Sequence, residues 1–134
     1  MTRINCIDPD LLQDKHLLAE YRELPRIFGL IRKAQERGET PSNSQIPKAY
    51  RMGPGHVRFF YNKALWLVMR QESLIAECVR RGFNIQYRDT GHLLDGINEE
   101  WCGTWYPTSM DQGINIARIN DRGGLRDTGR SGKN

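Results

Sequence analysis

The residues best suited to chemistry stand in two short stretches, Met1-Thr2-Arg3-Ile4-Asn5 and Arg22-Glu23-Leu24-Pro25-Arg26. The small Thr2 suits removal of Met1, which leaves the Thr2 backbone nitrogen as a free primary amine. Such an amine titrates near ~8, so a usable fraction is uncharged at neutral pH. A neutral amine can attack C1′ of a damaged nucleoside, expel the base and leave an imine to DNA. The imine acidifies the C2′ protons, and β-elimination then breaks the strand on the 3′ side. That route needs a carboxylate to stabilise positive charge and move protons, and cations to fix phosphates. Thr2, Glu23 and the Arg22/Arg26 pair supply those types. The plainer reading is that an N-terminal threonine is common and that a helical Glu flanked by arginines is a solvated face.

Other chemistries fit less well. His16, His56 and His92 are isolated, and no pair has the i, i+4 spacing of a helical metal site. The chain has no G-x-S-x-G elbow, and Gly53-Pro54-Gly55-His56 lacks the Lys and Ser/Thr of a phosphate-binding loop. Cys6, Cys78 and Cys102 form neither a paired disulfide framework nor a C-x-x-C site, and they suit a reducing compartment.

At 134 residues the chain is the length of one domain. Its 20 Lys and Arg against 16 Asp and Glu give a net charge of +4, a balance that suits an anionic partner without identifying one. Asp8, Asp10 and Asp14 interrupt the first fifteen residues, so no signal peptide is expected, and no apolar run approaches a membrane span.

The elements that must position these residues follow from periodicity. Asp8-Pro9 reads as an N-cap with proline at the first helical position. From there Leu11, Leu12, Leu17, Leu18, Tyr21, Leu24, Phe28 and Ile31 recur roughly every three or four residues toward a stop near Gly38. Pro25 inside that run predicts either one bent helix or two helices meeting there. Both readings put Arg22 and Arg26 one turn apart, with Glu23 about 100° around from Arg22. Residues 39 to 56 read as a long irregular connection. A second helix is expected from near Asn62, burying Leu65, Trp66, Met69, Leu74, Ile75, Cys78 and Val79 and ending at Gly82. Phe59, Phe60 and Phe83 read as core anchors. A third helix is signalled by Ser109 with Gln112 as a capping box, with Ile114, Ala117 and Ile119 inward and Arg118 and Arg122 one turn apart. The fold expected is all-α, a compact single domain of three principal helices with long irregular connections over residues 1–122. The Gly/Arg-rich residues 123–134 are expected to form a flexible tail.

Several blocks together carry a resemblance. Met1 to Asn5, His16 through Arg26 as His-Leu-Leu-Ala-Glu-Tyr-Arg-Glu-Leu-Pro-Arg, and Gly55-His56-Val57-Arg58-Phe59-Phe60-Tyr61 are three of them. Leu74-Ile75-Ala76-Glu77-Cys78, Arg81 to Ile85 and, more loosely, Gly103, Tyr106-Pro107 and Ile116-Ala117-Arg118 complete the set. In these the chain resembles the phage-type pyrimidine-dimer DNA glycosylase/abasic-site lyases. The resemblance implies a bundle of three helices, Thr2 as nucleophile through its α-amine, and Glu23 as the acidic partner. It implies that Arg3, Arg22 and Arg26 contact DNA near the lesion, and that Arg118 and Arg122 hold backbone phosphates. The partner implied is double-stranded DNA carrying pyrimidine dimers or abasic sites, kinked, with the base opposite the 5′ pyrimidine flipped out. No metal or organic cofactor, membrane or obligate protein partner is implied. A monomer in the cytoplasm or associated with the nucleoid is expected.

One departure stands out. The family pattern ends in a tail rich in Trp, Tyr and Lys, whereas no aromatic residue follows Tyr106 here. Stacking on a base is worth ~1–3 kcal/mol, so its loss bears on lesion choice. Trp101 and Trp105 either compensate from the groove or serve as packing. Two alternatives stay open: a glycosylase/lyase for another lesion or for abasic sites only, and a non-catalytic damaged-DNA-binding protein.

Overall fold

Asp8 caps and Pro9 opens a helix, as their types predict, but that helix is one 3-10 turn, Pro9–Leu11. The computed structural model describes residues 2–126. It has four α-helices: α1 (Asp14–Glu23), α2 (Arg26–Glu36), α3 (Ala64–Arg80) and α4 (Ser109–Asp121). Of the two readings at Pro25, the structure takes two helices. Pro25 has no N–H to give the Tyr21 carbonyl, and the Gln71 side chain of α3 donates to that oxygen instead at 3.0 Å. The break between α1 and α2 is therefore sealed from the neighbouring helix. Gly38, at φ +86°, ends α2 in a left-handed cap in which Glu39 N donates to the Ala34 carbonyl at 3.0 Å.

Among the described residues there is no strand, only the isolated bridges Leu12–Leu125 and Lys63–Cys102. The fold is all-α, with α1 and α2 together forming one arm, as expected. α3 has no side-chain cap; Trp66 N donates instead to the Gly103 carbonyl at 3.3 Å. That approach needs glycine, because a Cβ at residue 103 would meet the Asn62 carbonyl oxygen at 2.5 Å. α4 is capped one residue earlier than its sequence suggests. Thr108 and Asp111 exchange side-chain and backbone hydrogen bonds at 2.9 and 3.1 Å, and Gln112 reaches the Cys6 carbonyl instead at 3.4 Å.

The buried faces of α3 and α4 differ from the apolar stripes expected. On α3, Leu65, Met69 and Val79 are exposed while Arg70, Gln71 and Glu77 are buried. On α4, Ile114 and Ala117 face outward and Asn115 and Ile119 inward. Each buried polar side chain answers a specific partner. Gln71 answers the Tyr21 carbonyl and Glu77 pairs with Arg80 and Arg81, while Arg70 and Asn115 face a backbone segment that needs hydrogen-bonding partners.

That segment is the start of the chain. Ile4, Asn5, Cys6 and Ile7 are buried and take partners from three helices. Asn5 N and Nδ2 donate to Glu20 of α1 at 3.2 and 2.7 Å. Cys6 N donates to Asn115 Oδ1 of α4 at 2.6 Å, and Asn115 Nδ2 donates to Asn5 Oδ1 at 2.7 Å. The Ile7 carbonyl accepts from Arg70 of α3 at 2.6 Å. Arg70 also grips Glu20 through two nitrogens at 2.8 and 3.1 Å. Around this polar centre packs a core that includes Leu17, Leu24, Phe28, Phe59, Phe60 and Trp101, so the two phenylalanines are core anchors as expected. Phe83 is partly buried against it.

Removing one partner of such a pair leaves an uncompensated buried charge. Arg70→Met is expected to cost about 3–5 kcal/mol, seen as a fall in Tm of roughly 10 °C or more. Glu20→Leu combined with Arg70→Met should not recover the loss, because Asn5 then has no acceptor. A double variant as stable as the wild type would assign the site to packing instead.

Candidate active site

The N-terminal segment delivers Thr2 and Arg3 to the surface beside the end of α1. Arg3 and Glu23 line one hollow of about 160 Å³ with Asn5, His16, Ala19 and Glu20. Glu20 and Glu23 are one turn apart, and they divide the work. Glu20 is buried and committed to Arg70 and Asn5, while Glu23 is only partly buried. No hydrogen bond joins the Glu23 carboxylate to another described residue. At this volume the hollow falls below the ~300–1,000 Å³ typical of sites enclosing a whole small ligand. It has room for a single sugar ring.

Glu23 closes α1, where the helix dipole presents its negative end, and Arg26 opens α2, where the dipole is positive. Each charge stands at the end of its helix that disfavours it. Such local conflicts are expected at functional sites, where an outside ligand supplies the compensating charge.

Arg22 and Arg26 are exposed and border a different cavity, of about 440 Å³, walled by Tyr21, Pro25, Ile75 and Tyr87. Gln71 lies in its lining, and because Nε2 is spent on the Tyr21 carbonyl, the buried Oε1 has no partner. The Tyr21 hydroxyl fixes the far wall, donating to the Tyr87 carbonyl at 2.8 Å and accepting from Tyr87 N at 2.9 Å. This is a mainly apolar recess that also has Asp89 and His92 in its lining, bordered by the two exposed arginines.

Arg118 and Arg122 stand close enough to Arg3 to act on its charge. The Arg3 guanidinium is drawn below its ordinary value by partial burial first, then by the Arg122 and Arg118 cations. Arginine stays protonated regardless, so the three form a concentrated positive patch. His16 is likewise pushed down, by burial and then by Arg3 and Lys15, against the opposing pull of a hydrogen bond to the Arg122 backbone. Its ring lies against Gly124, where a Cβ would come within 2.7 Å. Residues 124 and 126 are tied to the entry of α1, with Gln13 N donating to the Gly124 carbonyl at 2.8 Å and Arg126 N to the Leu11 carbonyl at 2.7 Å. The rest of the expected flexible tail, from residue 127, lies outside the described residues.

Thr2 opens onto a third hollow, shared with His56. His56 is buried and fully used. Ile4 N donates to its Nε2 at 2.8 Å, which makes that nitrogen an acceptor and leaves Nδ1–H to donate to the Arg51 carbonyl at 2.7 Å. The Tyr50 hydroxyl holds the Ile4 carbonyl at 2.9 Å. Trp105 stacks on Tyr50 at 5.4 Å and Trp101 is fully buried, so both tryptophans are packing.

The structure thus brings Arg3 and Glu23 to one hollow, with Arg118 and Arg122 near enough to act on Arg3 and Thr2 next in the chain, and sets Arg22 and Arg26 at a second cavity. Sequence reasoning missed His16, Gln71, Asn5, Glu20, His56 and Asn115. The one available signal was Glu20, which shares a helical face with Glu23. Among the described residues no group of three His, Cys, Asp or Glu side chains converges as a metal site requires, and no helix is long and apolar enough to cross a membrane.

Burial pushes His56 below the ordinary histidine value of 6.5. The unfolded chain therefore binds the extra proton first on acidification. The stability contributed by the neutral ring is complete above that value and is lost as pH falls from it toward the lower folded pKa. Thermal melts from about pH 8 to about pH 5 should show this decline. His56→Gln, an acceptor with no titrating proton, should make the decline shallower and leave the part due to His16, which burial also lowers. An unchanged slope would remove His56 from the support of the N-terminal segment.

A family model described as pyrimidine dimer DNA glycosylase matches residues 1–90 of the chain. The match takes in Thr2, Arg3, Arg22, Glu23 and Arg26, together with Glu20, His56 and Arg70, which fix the N-terminal segment, and it ends before Arg118 and Arg122. This chain belongs to the pyrimidine dimer DNA glycosylase family.

Proposed function

We propose that the chain, with Met1 removed, is a DNA repair glycosylase with abasic-site lyase activity acting on cyclobutane pyrimidine dimers in duplex DNA. The observation that carries this reading is the hollow shared by Arg3 and Glu23, one residue from Thr2, in a segment anchored by Glu20, Arg70, Asn115 and His56. Anchoring so complete suits a backbone nitrogen that must attack one carbon. Positioning of this kind, and not acidity alone, makes an amine an efficient nucleophile.

In the reaction the Thr2 nitrogen lone pair bonds to C1′ of the 5′ pyrimidine nucleotide and the C1′–N glycosidic bond breaks. The pyrimidine leaves with that electron pair and takes up a proton. The amine gives up both N–H protons, one balancing the proton taken by the pyrimidine and the other the proton taken by O4′, which departs from C1′ as a hydroxyl, and an imine remains between Thr2 and C1′. Loss of a C2′ proton then expels the 3′ phosphate. Glu23 is the group beside the sugar able to stabilise the cationic intermediates and to carry protons. Arg3, Arg118 and Arg122 hold the backbone phosphates. Arg22 and Arg26 grip DNA at the mouth of the Tyr21–Gln71 cavity, which receives the base flipped out opposite the dimer. Its mainly apolar walls suit a planar heterocycle.

A wider reading of the substrate has one observation in its favour, the lack of aromatic residues after Tyr106. A cleavage panel of dimer, oxidised-base, alkylated-base and abasic duplexes separates it from the narrower one, since preference for dimers is expected.

Borohydride reduction on a dimer or abasic duplex should trap a covalent adduct whose protein end maps to Thr2. No adduct on either duplex, from protein shown by intact mass to begin at Thr2 without acetylation, would sink the amine mechanism. Glu23→Gln should keep the fold and lose about 10²–10⁴-fold in strand cleavage; wild-type cleavage would take Glu23 out of the chemistry. Arg22→Ala and Arg26→Ala should each weaken binding and flatten its dependence on salt, measured as the slope of log affinity against log salt concentration. An unaltered slope would deny them phosphate contacts.

A further inference from the structure

The hollow onto which Thr2 opens measures about 530 Å³ and differs in charge from the Glu23 hollow. No carboxylate lines it, and its lining includes Gly55, Arg58 and Tyr61. Arg51 stands at its rim. A Cβ on Gly55 would lie 3.5 Å from the Arg51 Cδ and 3.8 Å from its Nε. Arg51 is exposed, and no described residue accepts a hydrogen bond from its guanidinium.

Arg58 is held in place and still has capacity to bind. Its Nη1 donates to the Ser44 carbonyl at 2.8 Å and to Glu39 Oε1 at 3.3 Å, and its guanidinium lies 4.6 Å over the Tyr61 ring. Nε and Nη2 have no partner among the described residues. That is the edge with which Arg70 takes both oxygens of Glu20, at 2.8 and 3.1 Å. Such an edge fits a phosphate as well as a carboxylate, and fixing its other side lowers the entropy lost on binding. Glu39 does not cancel the charge, because Arg37 also pairs with it at 2.7 Å. Arg37, Arg51 and Arg58 set three cations against that one carboxylate. His56, with both ring nitrogens engaged, adds no charge. The Thr2 amine must be neutral to attack, so the attraction for an anion falls to the guanidiniums.

We infer that this hollow binds a backbone phosphate of the damaged strand, one of the two flanking the sugar that Thr2 attacks, through Arg51 and the free edge of Arg58. The subsite rests on the reading above, in which the Thr2 nitrogen bonds to C1′. Thr2 borders this hollow, and its neighbour Arg3 lines the hollow of Glu23. A sugar seated against Glu23 carries a phosphate on each side, and a strand that runs from it past Thr2 enters this hollow. Arg3, with Arg118 and Arg122 near it, supplies charge at the first hollow. Arg51 and Arg58 supply it at the second. Both bind the strand and leave the reacting atoms to Thr2 and Glu23.

The test uses protein that begins at Thr2 and a duplex carrying a reduced abasic analogue, which has no aldehyde and forms no imine. Affinity is read by fluorescence anisotropy at several salt concentrations, with the 5′ or the 3′ flanking phosphate replaced by an uncharged methylphosphonate. Arg51→Gln removes an exposed charge that no described residue uses. Arg58→Gln is read beside it with Tm as the control for folding. Each should weaken binding about fivefold or more and lower the slope of log affinity against log salt concentration by about 1. One of the two methylphosphonates should cost the wild type about fivefold or more and the Arg51→Gln/Arg58→Gln double variant less than about twofold. Coupling at the 3′ position puts the arginines on the group that β-elimination expels, and coupling at the 5′ position puts them on the strand that stays attached. Equal costs in the two proteins at both positions overturn the inference, as does an unchanged salt slope in Arg51→Gln. Failure of the amine mechanism reads differently. Coupling with no borohydride adduct upholds the subsite and removes the chemistry, and a normal adduct without coupling does the opposite.

Discussion

The structure depends on one buried ion pair, Glu20 with Arg70. Neither residue could be buried alone, because an unpaired charge inside a protein is far costlier than the pair. Together they still have spare hydrogen-bonding capacity, and the beginning of the chain absorbs it: Asn5 donates to Glu20 and the Ile7 carbonyl accepts from Arg70. The pair thus joins α1 to α3 and, at the same point, fixes a segment that has no secondary structure of its own. Apolar residues of similar size could fasten the two helices. They could not satisfy the backbone passing between them.

This explains which parts of the fold were legible in the sequence. The helices of the outer frame announced themselves through local chemistry. Asp8-Pro9 starts a turn, Pro25 breaks the first arm, and Gly38 and Gly82 end α2 and α3 with positive φ. The inner face of α3 did not, because periodicity assigns burial to Leu65, Met69 and Val79, and the structure buries Arg70, Gln71 and Glu77. A polar residue on a helix normally reads as solvent-facing. That rule fails where the neighbour is an extended backbone or a helix broken at proline, since only polar side chains answer their N–H and carbonyl groups. Asn115 on α4 is the same case, 110 positions from the Asn5 side chain it binds.

The candidate site was legible as types and only partly as places. Thr2 and Glu23 stand out by chemistry, and Arg3 follows from its neighbour. That Arg22 and Arg26 border a recess separate from the one holding Glu23 depends on the turn at Leu24-Pro25 and on Tyr87, whose loop is pinned by Tyr21. His16 and Gln71 have no sequence signature, because each gains its meaning from what approaches it: Gly124 and the Arg122 backbone for one, the Tyr21 carbonyl for the other. Charges set at the unfavourable ends of α1 and α2 are the one feature of the candidate site that local structure alone marks out.

The threading of residues 4 to 7 also governs when the site comes into being. Asn5 and Cys6 find their partner in Asn115 of α4, with Asn5 separated from it by 110 positions, so these residues wait for a distant helix before they are locked. A contact of such long separation closes late, after loop entropy has been overcome. Until that contact closes, residues 4 to 7 lack two of the hydrogen bonds that hold them in place. The segment that carries Thr2 is thus among the last parts of the fold to be placed.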